Sequence, residues 1–124
     1  MSTPRTVVIL GASANPSRYS NMLMRRLQTN PDYNTVPVNP GQDAIEGSAV
    51  HASLASVPAA PDILTMYVSP SRSAALEADI VRLKPGKVIF NPGAENPPLE
   101  AALNRAGIAT ENACSLVLLS QHAL

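Results

Sequence analysis

Apolar and polar positions along the chain form blocks that predict strands and helices in alternation. Residues 7–10 are a short, continuous apolar run, which is typical of a strand buried on both faces of a sheet. Further strands are predicted between prolines and polar stretches, at residues 33–38, 62–68, 87–90 and 108–111.

The intervals between these strands carry helical signals. Tyr19, Leu23 and Leu27 recur every four residues and predict a helix over residues 19–29, which Asn30-Pro31 ends.

Two further helices have recognisable first residues. Ser69 is a typical capping residue and Pro70 takes the first helical position of a helix that we expect to continue to residue 83. Asn96 gives the same signal for a helix that Gly107 ends.

Strands alternating with helices predict βαβ units with right-handed crossovers. We therefore expect one domain over residues 1–124, with an α/β, Rossmann-like, doubly wound fold. Its mainly parallel five-stranded sheet would have helices on both faces and strand 1 at its centre. Residues 41–58 are less defined, with an extended piece near 47–51 and a helical turn near 53–57, and residues 113–119 fit helix or strand.

An Asn-Pro or Ser-Pro pair follows each of the first four predicted strands. Ligands of open parallel sheets bind beyond the carboxyl ends of the strands, so these pairs belong to the edge where a site is expected. Proline stiffens the backbone, and Asn or Ser adds a short hydrogen-bonding group. Each pair alone is also an ordinary turn signal, but four at one edge favour a ligand site. The pairs are Asn15-Pro16, Asn39-Pro40, Ser69-Pro70 and Asn91-Pro92.

The loop over residues 11–18 is the most informative of these segments. Gly11 permits a sharp turn out of strand 1, and the small residues Ala12 and Ser13 let a ligand approach the backbone. The following helix directs its free N–H groups here, which suits a phosphate, and Arg18 can pair with a phosphate oxygen. The loop lacks the glycines of G-x-G-x-x-G and the Gly-Lys-Ser/Thr of a P-loop, so alone it indicates only a phosphate near a helix start.

The end of strand 2 bears on which nucleotide binds. NAD-binding domains usually place Asp or Glu there to hold the ribose hydroxyls, whereas this chain has Val38, Asn39 and Pro40. The missing carboxylate disfavours a nicotinamide dinucleotide. It is compatible with a phosphorylated ribose such as that of coenzyme A, which carries a 3′-phosphate.

Charge and composition exclude other partners. Nine Lys and Arg residues balance nine Asp and Glu residues, and aromatic residues make up 3% of the chain, so it has neither a basic field nor stacking platforms for nucleic acids. The apolar run at residues 7–10 is too short for a signal peptide or a membrane span. We expect no membrane partner and a cytoplasmic protein.

Candidate catalytic residues are isolated along the sequence. Cys114 is the single cysteine, which excludes a disulfide framework and favours a buried structural thiol. His51 and His122 have no nucleophile or carboxylate nearby in sequence, and no metal-ligand spacing is present. We therefore expect no catalytic residues and no metal site.

An ordered set of short motifs runs along nearly the whole chain. It comprises Val-Ile-Leu-Gly-Ala-Ser-Ala-Asn-Pro at 8–16, Val-Pro-Val-Asn-Pro at 36–40, Ile-Glu-Gly at 45–47, Ser-Leu at 53–54 and Asp-Ile at 62–63. In these motifs the chain resembles the stand-alone CoA-binding domain family, which is similar to the N-terminal domain of the succinyl-CoA synthetase alpha subunit.

The resemblance implies that coenzyme A or an acyl-CoA lies across the strand ends. The loop after strand 1 would cradle phosphates, residues after strands 2 and 3 would flank the nucleotide, and residues after strand 4 would guide the pantetheine arm. The chain departs from the family at Ala14 and Ser71, where relatives often carry charge, and at residues 91–95, which replace a Glu-before-Gly pattern. The implied cofactor-binding residues are Gly11, Ala12, Ser13, Asn15, Arg18, Val38, Asn39, Pro40, Val68, Ser69, Pro70, Arg72, Asn91, Pro92 and Gly93.

Three functions stay open from the sequence. The first is a CoA-binding module without catalysis of its own. The second is the CoA-binding subunit of an acyl-CoA synthetase or ligase-like enzyme, whose partner supplies the chemistry. The third, an NAD(P)-binding oxidoreductase domain, is disfavoured by the missing acid and the missing substrate domain. A homo-oligomer also stays open.

Overall fold

The computed structural model describes residues 3–124 and contains a five-stranded sheet, a two-stranded ribbon and helices on both faces of the sheet. Short 3₁₀ turns occur at Leu54–Ser56 and Ala74–Leu76. The strands are β1 (Arg5–Leu10), β2 (Tyr33–Val38), β3 (Ala44–Ile45), β4 (Ser48–Ala49), β5 (Ile63–Met66), β6 (Lys87–Phe90) and β7 (Ala109–Asn112). The helices are α1 (Tyr19–Gln28), α2 (Pro70–Ser73), α3 (Glu77–Leu83), α4 (Pro97–Arg105) and α5 (Ser115–Ser120).

The five strands of the main sheet are all parallel and lie in the order β2-β1-β5-β6-β7. This confirms the predicted Rossmann-like α/β fold. The expectation that strand 1 lies at the centre is wrong, because β5 occupies that position. After β2 and the β3–β4 ribbon, the chain crosses to the other side of β1 and adds β5, β6 and β7 outward on that side. The strand order therefore reverses between β1 and β5.

Side chains of β1 alternate between two apolar cores, one on each face of the sheet. Val7 and Ile9 pack toward α1 and α5, whereas Val8 and Leu10 pack toward α3 and α4. This alternation explains why the predicted strands are nearly continuous apolar runs, since both faces are covered. Buried helix residues complete the two cores: Leu23, Met24, Leu27 and Leu119 on the first face, and Ile80, Leu83, Leu99 and Leu103 on the second.

The register of the sheet brings the strand ends into one row. Leu10 pairs with Val38 on one side and with Met66 on the other. Met66 pairs with Phe90, which in turn pairs with Asn112. The loops that follow β1, β2, β5 and β6 therefore all leave the sheet at the same edge, as the repeated Asn-Pro and Ser-Pro pairs predict.

Helix α4 has the boundaries that its sequence signals predict. The Asn96 side chain accepts a hydrogen bond from the Leu99 N–H at 3.3 Å, and Pro97 occupies the first turn. Gly107 follows the helix with a φ of +86°, a left-handed conformation that glycine adopts without strain.

The helix expected to run unbroken to residue 83 is interrupted. A 3₁₀ turn at Ala74–Leu76 separates α2 from α3. The Ser73 hydroxyl donates to the Pro70 carbonyl at 3.3 Å, a local bond that competes with regular helical geometry. Ser69 precedes α2 as predicted, but its hydroxyl bonds to that of Ser71 and does not cap the helix.

Tyr19 also departs from the expected pattern. It shares the spacing of Leu23 and Leu27, yet 67% of its surface is exposed while both leucines are buried. Tyr19 faces an open cavity instead of the core.

The two segments that the sequence left undefined have clear structures. Residues 41–58 contain β3 and β4, joined by a two-residue turn at Glu46-Gly47 in which both residues have positive φ. His51 then forms a bridge with Val38, and a 3₁₀ turn follows. The tail is helical and forms α5. Within residues 3–124, no helix combines the length and apolar character that crossing a membrane requires.

Candidate functional site

A cavity of about 550 Å³ opens at the carboxyl edge of the sheet, beside β1 and β5. Because the strand order reverses between these strands, the loops after them diverge and leave a crevice, where open α/β sheets bind ligands. The volume lies in the range of small-molecule sites. Ten predicted site residues line it together: Gly11, Ala12, Ser13, Arg18, Val38, Asn39, Pro40, Val68, Arg72 and Pro92.

The other predicted site residues lie outside the lining of this cavity. The Asn15 carboxamide oxygen accepts from the backbone N–H of Ser17 at 3.0 Å and so shapes the loop after β1. The Gly93 N–H donates to the Glu95 carboxylate at 2.8 Å. These contacts assign both residues to the geometry of their loops. The residues outside the lining are Asn15, Ser69, Pro70, Asn91 and Gly93.

Gly11 fixes the turn out of β1. Its φ is +88°, and a Cβ at this position would lie 3.0 Å from Cγ1 of Val68. Its N–H and that of Ala12 both donate to the Val38 carbonyl, at 3.0 and 3.2 Å. The loop is therefore held tightly against the ends of β2 and β5.

Asn39 joins two of the loops that border the cavity. Its carboxamide nitrogen donates to the Ala12 carbonyl at 2.6 Å, and its oxygen accepts from the Gly41 N–H at 2.8 Å. Both ends of the side chain are therefore engaged within the protein. Asn39 lines the cavity but serves mainly to hold the two loops together.

Asn21 is a loop anchor that the sequence analysis missed. It is fully buried, and its carboxamide nitrogen donates to the Ser13 carbonyl at 2.9 Å and to the Glu46 carboxylate at 3.0 Å. Its oxygen accepts from Arg25 at 2.8 Å. The available signal was an Asn inside a helix, where this residue type is unfavourable without a specific partner.

The first turn of α1 faces the cavity and offers positive potential. No side chain caps this helix, and its first turn contains no acidic residue. Arg18 precedes the helix, and Arg18, Tyr19 and Ser20 all line the cavity. Uncapped N–H groups and the positive end of the helix dipole favour an anion at this point.

Arg72 supplies a second cation from another element. It lies on α2 and lines the same cavity as Arg18. The ion pairs within residues 3–124 join Arg82 to Asp79 and Lys87 to Glu111, so neither Arg18 nor Arg72 is paired with a carboxylate there. Both cations are therefore available to an anionic ligand.

An apolar wall contributes to the lining of the same cavity. It combines Val38 and Val68, which the sequence analysis named, with Leu54 and Leu76, which it missed. Leu54 comes from the segment that the sequence left undefined, and Leu76 had been assigned to the helix core. A flat, apolar ring fits such a wall through dispersion and desolvation.

Asp79 brings a carboxylate into the cavity from α3. The sequence argument against NAD rested on the absence of an acid at the end of β2, and that absence stands. The cavity nevertheless contains an acid from a different element, so the missing acid after β2 does not by itself exclude a carboxylate beside a bound ribose. No local pattern indicates that Asp79 lies near Val38.

A network of buried polar groups links β5, the end of β6 and α5. The Asn91 carboxamide nitrogen donates to the Thr65 hydroxyl at 2.7 Å, and its oxygen accepts from the Ser115 N–H at 2.9 Å. The Thr65 and Ser115 hydroxyls lie 2.8 Å apart. Asn91 is 2% exposed and thus positions the end of β6 from within.

Tyr67 borders both this network and the cavity. Its hydroxyl oxygen is buried and makes no well-formed hydrogen bond within residues 3–124, although the Thr65 and Ser115 hydroxyls lie close by and partly offset the effect of burial on its pKa. Burial raises the pKa of the Tyr67 hydroxyl to about 12, because it disfavours the phenolate. Tyr67 is therefore neutral across the physiological range.

The residues considered for catalysis are dispersed in the fold. His51 lies beside Ser56, whose hydroxyl oxygen is 2.9 Å from its Nδ1. Cys114 is partly buried and precedes α5. In the part of the chain that the structure describes, no three His, Cys, Asp or Glu side chains are grouped in a way that holds a metal ion.

Known structures share this fold over nearly the full chain. A crystal structure of an uncharacterized protein is 30% identical, with a TM-score of 0.89, and covers 99% of this chain and 100% of its own. A structure from Thermus thermophilus is 31% identical, with a TM-score of 0.87, over 95% of this chain and 90% of its own.

A larger protein contains the same fold as one part. The dinucleotide-forming acetyl-coenzyme A synthetase 1 of Ca. Korarchaeum cryptofilum matches 86% of this chain with 25% of its own length, at 21% identity and a TM-score of 0.70. Residues 5–120 match the family described as CoA binding domain. The chain is therefore a member of the CoA binding domain family.

Proposed function

We propose that this protein binds coenzyme A or an acyl-CoA in the cavity at the carboxyl edge of the sheet, without catalysis of its own. Membership of the CoA binding domain family supports this proposal, as does the position of the cavity at the reversal of strand order. The cytoplasmic location remains a prediction from the sequence.

The observation that carries the proposal is the pair of unpaired arginines on different elements of one cavity. Arg18 immediately precedes α1, which follows β1. Arg72 lies on α2, which follows β5. Coenzyme A has two separate anionic groups, a pyrophosphate and a ribose 3′-phosphate. Arg18 and the α1 N–H groups would bind the pyrophosphate, and Arg72 the 3′-phosphate.

The remaining parts of the ligand then have places of matching chemistry. The apolar wall formed by Val38, Leu54, Val68 and Leu76 would receive the adenine ring. Pro92 lines the cavity after β6, and the adjoining Gly93 has an exposed backbone, so the pantetheine arm would leave along these residues. The acyl group, where present, would lie beyond the arm.

A role as one subunit of an acyl-CoA synthetase-like enzyme is the second candidate. The observation that favours it is the fold match to one quarter of the acetyl-coenzyme A synthetase chain. In that case a partner chain would supply the catalytic groups. Affinity purification of the tagged protein would recover a synthetase subunit in stoichiometric amount, whereas a stand-alone module or homo-oligomer would elute without one.

Titration calorimetry with coenzyme A, acetyl-CoA, NAD and NADP tests the main proposal. We expect coenzyme A and acetyl-CoA to bind at one site per chain, and NAD and NADP to bind at least tenfold more weakly, because NAD has no ribose phosphate and NADP carries its ribose phosphate at the 2′ position instead of the 3′ position. Binding of NAD or NADP without binding of coenzyme A would overturn the proposal. Incubation with acetyl-CoA should release no free thiol, and turnover by the purified protein alone would contradict the absence of catalysis.

A further inference from the structure

A single carboxylate lines a cavity whose other charged residues are arginines. Asp79 lies on α3 and contributes to the lining together with Leu76. A carboxylate repels phosphate groups, so a multiply phosphorylated ligand has to turn a neutral part toward it. Since a carboxylate only accepts hydrogen bonds, that neutral part should donate them.

The distribution of charge gives the ligand an orientation. Arg18 and the positive end of α1 lie on the β1 side of the cavity. Asp79 lies instead on α3. Leu76, which immediately precedes this helix, forms part of the apolar wall. A base packed against that wall would present its edge to Asp79. Adenine has one exocyclic amine, which is the strongest hydrogen-bond donor on the ring.

Asp79 is held in place but keeps an oxygen available. Its Oδ1 pairs with Arg82, one turn later on α3. In the part of the chain that the structure describes, its Oδ2 has no hydrogen-bond donor. The Arg82 side chain is 64% exposed, and surface pairs of this kind contribute little to stability. The pair therefore orients the carboxylate and reduces its repulsion of an anionic ligand.

We infer that Asp79 selects the adenine base by accepting a hydrogen bond from its exocyclic amine. This inference rests on the proposed coenzyme A site and specifies which residue distinguishes the base. A purine without the 6-amino group offers no donor at this position, so the hydrogen bond to Asp79 would be lost and binding would weaken.

Adenosine 3′,5′-bisphosphate and purine riboside 3′,5′-bisphosphate separate this contact from the rest of the ligand, because they share both phosphates and differ only in the 6-amino group. We expect calorimetry on the natural chain to give about tenfold tighter binding of the adenosine compound. Asp79→Ala should abolish the preference. Glu77→Ala, which removes an exposed carboxylate of the same helix outside the cavity lining, should retain it.

Each outcome is informative about one proposal or both. Equal affinity of the natural chain for the two bisphosphates, or a preference that survives in folded Asp79→Ala, would overturn the role of Asp79. If coenzyme A still binds in that case, the proposed function is unaffected. If coenzyme A itself does not bind, both proposals fail. The comparison of bases on the natural chain needs no variant, so poor folding of Asp79→Ala would not prevent the test, and Asp79→Asn provides a second substitution of similar size.

Discussion

Arg18 and Arg72 have separable roles in the proposed site, because each is proposed to bind a different phosphate group of coenzyme A. Arg72→Ala should weaken coenzyme A binding about tenfold and leave the binding of 3′-dephospho-CoA unchanged. Arg18→Ala should weaken both ligands by similar factors, since both contain the pyrophosphate. Calorimetric titrations of the two variants with the two ligands measure this difference.

Arg105 offers a matched control for these charge deletions. It lies exposed in the last turn of α4 and outside the cavity lining. Arg105→Ala should bind both ligands as the natural chain does. An equal loss of affinity for the two ligands in Arg72→Ala would show that Arg72 does not recognise the 3′-phosphate.

Gly11 combines a left-handed backbone with a close contact. Gly11→Ala should cost about 2–3 kcal/mol of unfolding free energy, because it adds the strain of a positive φ to a clash with Val68. Gly107→Ala shares the positive φ but has no atom within 4 Å of the added Cβ, so it should cost only about 1 kcal/mol. Urea unfolding of the two variants measures the difference. Equal costs would refute the steric part of this explanation.

At the scale of elements, the loop after β1 depends on a contact from within α1. Asn21 links the Ser13 carbonyl to Glu46 of the β3–β4 turn. Asn21→Ala should lower the unfolding free energy by about 2 kcal/mol and also weaken coenzyme A binding, because the buried partners lose their hydrogen bonds and the loop loses its anchor.

An exposed amide provides the comparison for Asn21. Asn104 lies on the surface of α4 and accepts a hydrogen bond from Thr110 at 3.1 Å. Asn104→Ala should change the unfolding free energy by less than about 0.5 kcal/mol and leave ligand affinity unchanged. Urea unfolding and coenzyme A titrations of both variants measure these changes. Unchanged affinity in Asn21→Ala would contradict the role of Asn21 in anchoring the loop.

Local sequence patterns predict an element well where burial alone, or the residues at its two ends alone, determine that element. The strands are predictable because both faces of the sheet are covered, which makes them continuous apolar runs. Helix α4 is predictable because Asn96, Pro97 and Gly107 determine its ends through local interactions. The interruption before α3 was not predicted, since it arises from a Ser73 hydroxyl bond within a helix-compatible segment.

At the scale of the whole molecule, the sequence indicates the edge of the sheet but not the full cavity. The strand-end residues were predictable because parallel strands in register end in one row. Asp79 and Leu54 were missed because their positions depend on how α3 and the segment after β4 pack against that edge. The hydrogen bond from Asn21 to Glu46 joins residues 25 positions apart, so no local sequence pattern predicts it.

Tyr67 couples the stability of the molecule to alkaline pH. Its pKa is raised from 10.0 to about 12 in the folded protein, so the unfolded chain loses this proton first. Below pH 10 both states keep this proton, whereas between pH 10 and pH 12 only the unfolded chain releases it, so the unfolding free energy falls by about 2–3 kcal/mol over that range. Tyr67→Phe should show a smaller loss of unfolding free energy than the natural chain between pH 10 and pH 12.

The same variant also removes a buried hydroxyl without a partner. At neutral pH, Tyr67→Phe should equal the natural chain in stability or exceed it by about 1 kcal/mol, because no hydrogen bond is lost. Chemical unfolding at pH 7 and pH 11 measures both effects. A marked loss of stability at pH 7 would mean that the hydroxyl has a partner.

A crystal structure of the protein with coenzyme A tests the central claim most directly. We predict the pyrophosphate at the first turn of α1 beside Arg18, the 3′-phosphate beside Arg72, and the adenine on the apolar wall formed by Val38, Leu54, Val68 and Leu76. Coenzyme A bound away from the cavity, or bound there with its phosphates remote from both arginines, would contradict the account.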